Sequence, residues 1–264
     1  MSVSYDKYSL IKSRREGGVL TLTMDNPPMN SAGYDLQDEL SYIFYDVARD
    51  DCSVVVLTGE GRAFSAGGDM QEMLANTNDL HRVADMMVRA PHIVQSMLAL
   101  DVPMIARVNG HAMGLGASLA LLCDVVIMAE DAKIADPHVA MGLSAGDGGA
   151  FLWPLLIGYA RARHHLLTGE ALTGREAAEI GLIHKAVPRD RLDDEVAAYV
   201  ARLSKGATFA IKATKRSINL ALRAQAAALA DAHAGIETLT LASADHREAV
   251  TAFIEKRPPI FSGR

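Results

Sequence analysis

The chain has 264 residues, half of them hydrophobic and 22% charged, an ordinary globular mixture rather than a disordered one. Its 26 lysines and arginines against 32 aspartates and glutamates leave a formal charge of −6. That argues against a nucleic-acid binder, because a phosphate backbone needs a concentrated basic face. The two cysteines, Cys52 and Cys123, form no metal-type or redox pair. The start, Met1 to Lys7, is polar, and the longest apolar run, Ala112 to Cys123, is too short to span a bilayer. The expectation is a cytoplasmic protein with no membrane or nucleic-acid partner.

In chain order, Val19 to Met24 is a predicted strand, and Asp25 to Asn30 a turn. Leu36, Leu40, Ile43, Phe44 and Val47 then recur at helical spacing. Val54 to Thr58 is the next strand, followed by a helix over Asp79 to Leu100, interrupted or kinked at Pro91. Met104 to Val108, Val125 to Ala129 and Lys133 to Ala135 are further strands. This alternation indicates an α/β fold. After the glycine-rich loop Gly142 to Gly149 the chain turns helical. Thr173-Gly174-Arg175-Glu176 is a capping-box pattern. Helices are predicted over Arg191 to Ser204, Ala207 to Leu222, Ala224 to Leu241 and Asp245 to Lys256, the last ended by Pro258-Pro259. A boundary between core and helical part falls near Ala186 to Asp190, which divides the chain into 1–188 and 189–264.

Two glycine-bearing stretches stand out. Asn109-Gly110-His111-Ala112-Met113-Gly114-Leu115-Gly116 follows a strand and opens a helix apolar on every side, which must be buried. The first N–H groups of such a helix have no partner within it and carry the positive end of its dipole, so they suit an oxyanion. Arg62-Ala63-Phe64-Ser65-Ala66-Gly67-Gly68-Asp69-Met70 also leaves a strand end through glycines. Each alone reads first as a turn that lets backbones approach closely.

Together, the two stretches resemble the enoyl-CoA hydratase/isomerase (crotonase) superfamily, over nearly the whole chain. The resemblance implies a spiral of ββα repeats with a C-terminal helical region for oligomerisation, as a homotrimer or a hexamer of two trimers. It implies an acyl-CoA thioester as substrate, coenzyme A entering only as part of that substrate, with no further cofactor and no metal. It puts the oxyanion-hole donors at Ala66 and Leu115, and coenzyme A beside Ala66, Gly67, Gly68, Asp69 and Met70. Lys256 is a candidate for a CoA phosphate, or else for the C-terminal dipole of its helix.

The family's hydratases carry two glutamates, and the corresponding positions here are Ser118 and His138. Efficient hydration by that route is therefore not expected. Ser118 reads as a small residue packed on the core. His138, in Ala135-Asp136-Pro137-His138, is a candidate acid or base, because imidazole titrates near neutral pH. Asp147, in Gly146-Asp147-Gly148-Gly149, is the second candidate; dienoyl-CoA isomerases of the family carry an aspartate in this loop. A histidine and an aspartate nine residues apart also resemble the β-diketone hydrolases of the superfamily, which cleave a carbon–carbon bond. Isomerisation, non-standard hydration and carbon–carbon hydrolysis all stay open. The alternative is a non-catalytic acyl-CoA-binding or assembly protein. Glu237 is a possible extra acid with no motif behind it, His111 is expected to pack, and Trp153, Met73 and Met141 are candidates for the acyl-tail pocket.

Overall fold

The computed structural model describes residues 3–76 and 79–264. The strands and helices are, in order, β1 (Ile11–Glu16), β2 (Val19–Met24), α1 (Tyr34–Val47), β3 (Val54–Gly59), β4 (Ala63–Ser65), α2 (Met70–Asn76), α3 (Leu80–Ala99), β5 (Met104–Val108), β6 (His111–Met113), α4 (Leu115–Leu121), β7 (Val125–Ala129) and β8 (Lys133–Ala135). They continue with α5 (Gly149–Thr168), β9 (Leu172–Thr173), α6 (Gly174–Glu179), β10 (Lys185–Val187), α7 (Leu192–Ser204), α8 (Thr208–Leu241) and α9 (Ala244–Glu255).

The strands form two sheets. One runs β1-β2-β3-β5-β7-β10, and the other β4-β6-β8-β9. Successive strand pairs β3/β4, β5/β6 and β7/β8 each send one strand to each sheet, which generates the ββα spiral expected from the resemblance. In the larger sheet only β1 pairs antiparallel; Val55 lies opposite Met104, and Ile105 opposite Val125, in parallel register. Burial follows position. Every residue of β3, in the middle, is buried, and it opens on the unbroken apolar run Val54 to Leu57. The edge strand β1 buries only Ile11 and is otherwise charged or polar, which is why it gave no apolar pattern to read.

The helical part differs from expectation at one point. Ala207 to Leu241 was expected as two helices divided near Arg223, whereas α8 is one helix of 34 residues. Nothing at Arg223-Ala224 breaks a helix, since both residues are good helix formers. Lys215 on α8 is buried and donates to Asp124 Oδ2 at 2.6 Å and to the Val102 carbonyl at 2.9 Å. Asn219 donates to the Leu98 carbonyl. These contacts seat α8 beside α3 and carry its far end to the site. The helix α3 keeps its hydrogen-bonded run through Pro91 and is capped by Asp79, which accepts from His81 and Arg82 N–H. The capping box at Thr173 and Glu176 forms as predicted. Pro188 separates β10 from the turn that opens α7, and Leu192, Val196 and Ala226 beyond it enter the same hydrophobic core as the sheet residues. No helix among the described residues is long and apolar enough to cross a membrane.

Candidate active site

Four chain segments converge. The first leaves β6 through Gly114 (φ 51°, ψ −121°) and opens α4 at Leu115. A side chain at Gly114 would strain this backbone, and its Cβ would stand 3.4 Å from His138 Cε1. The N–H of Leu115 is the first of α4 and, among the described residues, has no hydrogen-bond partner.

The second segment leaves β4 through Ala66 to Asp69. Here one expectation is corrected. The N–H of Ala66 donates to the Met29 carbonyl at 3.0 Å, so it is not free to bind a ligand oxygen. Two residues on, the N–H of Gly68 has no partner among the described residues, and Gly68 lines the cavity. Gly67 (φ 83°) makes the bend; a Cβ there would meet the Met113 carbonyl at 2.6 Å. Alternation along an extended chain decides which N–H faces a neighbouring strand, and the motif itself does not reveal the phase.

The third segment follows β8. Asp136 and Pro137 lead into a short 3-10 turn, His138–Met141, held by Leu143 N–H donating to the His138 carbonyl at 2.9 Å. The fourth is the loop before α5, where Asp147 stands beside Gly148 (φ 135°). Into this junction α8 sends Glu237.

The imidazole of His138 is the hub. Its Nδ1 is hydrogen-bonded to Asp136 Oδ1. Its Nε2 lies 3.3 Å from Asp147 Oδ2 and 3.9 Å from Glu237 Oε1. Ser118, at the vacated glutamate position, donates its hydroxyl to Asp147 Oδ1 at 3.3 Å. So Ser118 does more than fill space in the core, as was expected of it. The polar groups are withdrawn from water: the side chains of Asp136, Asp147, His138 and Glu237 are 1%, 9%, 11% and 14% exposed. Burial pulls the His138 pKa down, but the carboxylates of Asp147 and Asp136 outweigh it and hold the pKa well above 6.5. Burial, reinforced by the nearby Asp147, pushes the Glu237 carboxyl up to about 8, with His138 opposing. Near neutral pH the cluster therefore holds an imidazolium and an uncharged Glu237. Asp136, His138 and Asp147 present ligand-type atoms within 4.8 Å of one another, but the carboxylates face opposite ring nitrogens. That suits sharing protons better than gripping one ion.

Two small cavities, each ≈ 50 Å³, meet at His138, Gly68 and Met73. The inner one is bounded by Leu115, Asp147 and Glu237, and the outer one by Ala66, Gly67, Met70 and Met141. Met73 and Met141 line these cavities, but Trp153 does not. It is fully buried on α5, against the ring of His165. Asp69 is engaged as the cap of α2, accepting from Gln71 and Glu72 N–H at 3.0 Å. Lys256 is exposed at the C-terminal end of α9, outside both cavities, and Arg257 beside it is paired with Glu248 and Glu255. His111 accepts from Lys133 N–H but is exposed, so it does not pack as the sequence suggested. Sequence reasoning placed Gly68 beside coenzyme A but not as a donor, and gave Asp136 no role. The Asp-Pro-His spacing was the available signal for Asp136.

A two-sheet ββα spiral whose turns leave two backbone N–H groups free beside a buried histidine–carboxylate cluster is the frame of a class of α/β proteins whose site offers donors for an anionic oxygen next to groups that can exchange protons. The chain belongs to the enoyl-CoA hydratase/isomerase family, whose model matches residues 14–264. It is 35% identical over 258 residues to a probable enoyl-CoA hydratase of Rhodobacter capsulatus, covering 97% of this chain and 99% of that one. The crystal structure of an enoyl-CoA hydratase/isomerase from Mycobacterium paratuberculosis superposes with a TM-score of 0.89 at 34% identity, over 94% of this chain and 99% of that one. A β-diketone hydrolase from the cyanobacterium Anabaena, bound to (S)-3-oxocyclohexyl acetic acid, superposes with a TM-score of 0.84 at 28% identity, over 90% and 96% of the two chains.

Proposed function

We propose that this chain is an enzyme acting on an acyl-CoA thioester, shifting a double bond through an enolate. The observation that carries the reading is the Nε2 edge of His138, with Asp147 at 3.3 Å and Glu237 at 3.9 Å, in a cavity that Gly68 and Leu115 also line. The thioester oxygen takes the two free N–H groups of Gly68 and Leu115. The Asp147 carboxylate, beside the imidazolium of His138, takes a proton from a carbon activated by that carbonyl, leaving an enolate. The uncharged Glu237 or the imidazolium returns a proton to another carbon of the conjugated system, so protons balance and the double bond has moved. Coenzyme A itself lies along Ala66 to Met70, with Lys256 as a further contact for a phosphate.

A second reading is hydrolysis of a β-dicarbonyl. The structural likeness to a β-diketone hydrolase and the histidine held by carboxylates both support it. In that case the cluster removes a proton from water, the water oxygen bonds to one carbonyl carbon, the carbon–carbon bond breaks with its electron pair left on the enolate carbon, and the captured proton passes to that carbon. The exposed side chains Phe209, Ile218 and Leu239 on α8 and Phe253 on α9 support assembly into a trimer or hexamer.

The test is a panel of enoyl-, dienoyl- and β-ketoacyl-CoA esters followed at the thioester absorbance bands, alongside the matching free β-diketones, with binding read by calorimetry. Movement of the conjugated band without uptake of water supports isomerisation, and release of a free acid supports hydrolysis. Binding of CoA esters with no turnover on any of them points to the non-catalytic binder, and no binding at millimolar ligand removes the thioester altogether.

A further inference from the structure

Asp136 lines neither cavity, yet it touches the central side chain of the site. It follows β8 directly and is separated from His138 by Pro137 (φ −90°, ψ 22°), whose ring fixes the turn so that the two side chains meet. The carboxylate is 1% exposed. Oδ1 accepts from His138 Nδ1, with His138 N–H 3.5 Å away, and Oδ2 has no partner. The unpartnered oxygen lies against Gly149, the first residue of α5, where a Cβ would stand 1.6 Å from it. Among the described residues no lysine or arginine pairs with this carboxylate, so His138 is its ion-pair partner. The positive end of α5, whose first helical run extends from Gly149 to the kink at Gly158, is the other source of stabilisation.

A buried carboxylate with one vacant oxygen is a costly way to hold a turn, because an unpaired buried acceptor forfeits its hydration. The turn does not need it: the Leu143-to-His138 and Ala140-to-Pro137 backbone bonds already close it. Beyond the His138 N–H of the turn itself, what Asp136 contacts is Nδ1.

We infer that Asp136 is the positioning residue of His138: by accepting Nδ1–H it fixes the neutral tautomer and the ring orientation, so that Nε2 is the nitrogen turned toward Asp147, Glu237 and the substrate. The inference rests on the acid–base reading of His138 above. In this arrangement Asp136 touches no substrate. It makes the imidazole a stronger base and leaves its outer nitrogen to exchange protons with the cavity.

The experiment is nitrogen-15 NMR of the full chain labelled at histidine, with no ligand present, and with His138 assigned by the resonance lost in His138→Gln. Above its titration point, the parent's His138 should show the Nδ1–H tautomer; an Nε2–H tautomer overturns the inference. Asp136→Asn retains an oxygen acceptor but removes the charge, and the His138 midpoint should fall by about one pH unit or more. An unchanged midpoint in a folded Asp136→Asn protein overturns the inference as well. If Asp136→Asn does not fold, the tautomer of the parent alone decides. With a working substrate, Asp136→Asn should lower kcat by about 10²-fold while KM holds, and Asp136→Glu should recover part of it. The NMR arm uses no substrate. A chain that turns over nothing while His138 behaves as stated would therefore sink the proposed function and leave the Asp136–His138 relationship standing.

Discussion

The hydroxyl of Ser118 donates to Oδ1 of Asp147 at 3.3 Å. The position where the family's hydratases carry a glutamate thus serves a different carboxylate, held by the loop before α5. Space is also committed there, since a Cβ on Gly148 would stand 2.9 Å from the Ser118 hydroxyl oxygen. Crotonyl-CoA hydration should accordingly run far below the order of 10³ s⁻¹ of a very efficient enzyme. Loss of the enoyl-thioester absorbance measures it, and Ser118→Glu is expected not to raise the rate.

Asp147 and His138 should fail together. Replacing Asp147 by Asn, or His138 by Ala, is expected to keep CoA-ester binding and to lower turnover by roughly 10²-fold or more, the usual weight of a positioned acid–base group. Calorimetry checks the first half and steady-state rates the second. Two variants that turn over the best substrate at the parental rate would make the cluster structural.

The oxyanion donors can be tested without touching a charge. Leu115 is the first residue of α4, the helical position that best tolerates proline. Leu115→Pro removes the free N–H, and Leu115→Ala removes the same buried side chain but keeps it. The expected outcome is a kcat lower by about 10²–10³-fold for the proline variant than for the alanine variant. Equal rates would place the oxygen elsewhere.

Stability should fall as pH rises, and Glu237 is one reason. Burial raises its carboxyl from 4.5 to about 8, so between these values the folded chain keeps a proton that the unfolded chain has lost. The stability from this group is fully present below about 4.5 and is gone once pH passes about 8. His138 acts in the same sense: its raised pKa gives stability that is present below 6.5 and lost as pH climbs through the folded value. Urea midpoints at pH 5 and pH 9 should therefore differ less in Glu237→Gln, which carries no titrating group, than in the parent.

Much of this was legible in the chain. The largely apolar β3, β5 and α4 indicated a buried α/β core, because only elements covered on both sides can be apolar on both. Gly114 and Leu115 marked a free helix N-terminus, since a helix's first N–H groups have no partner within it whatever the fold. His138 and Asp147 were singled out from their chemistry and motif context. Hydrogen-bond pairing was not legible. Ala66 and Gly68 are alike in sequence terms, and only the neighbouring Met29 carbonyl decided that the first is occupied and the second free. Nor could sequence place Glu237, 99 residues beyond His138, because α8 had first to form as one helix and be seated by Lys215 and Asn219. Local pattern records which faces are apolar and where backbone groups go unpaired within an element. The pKa of His138, the role of Asp136 and the service of Ser118 to Asp147 arise from contacts between elements, and these exist only once the sheets and helices have packed.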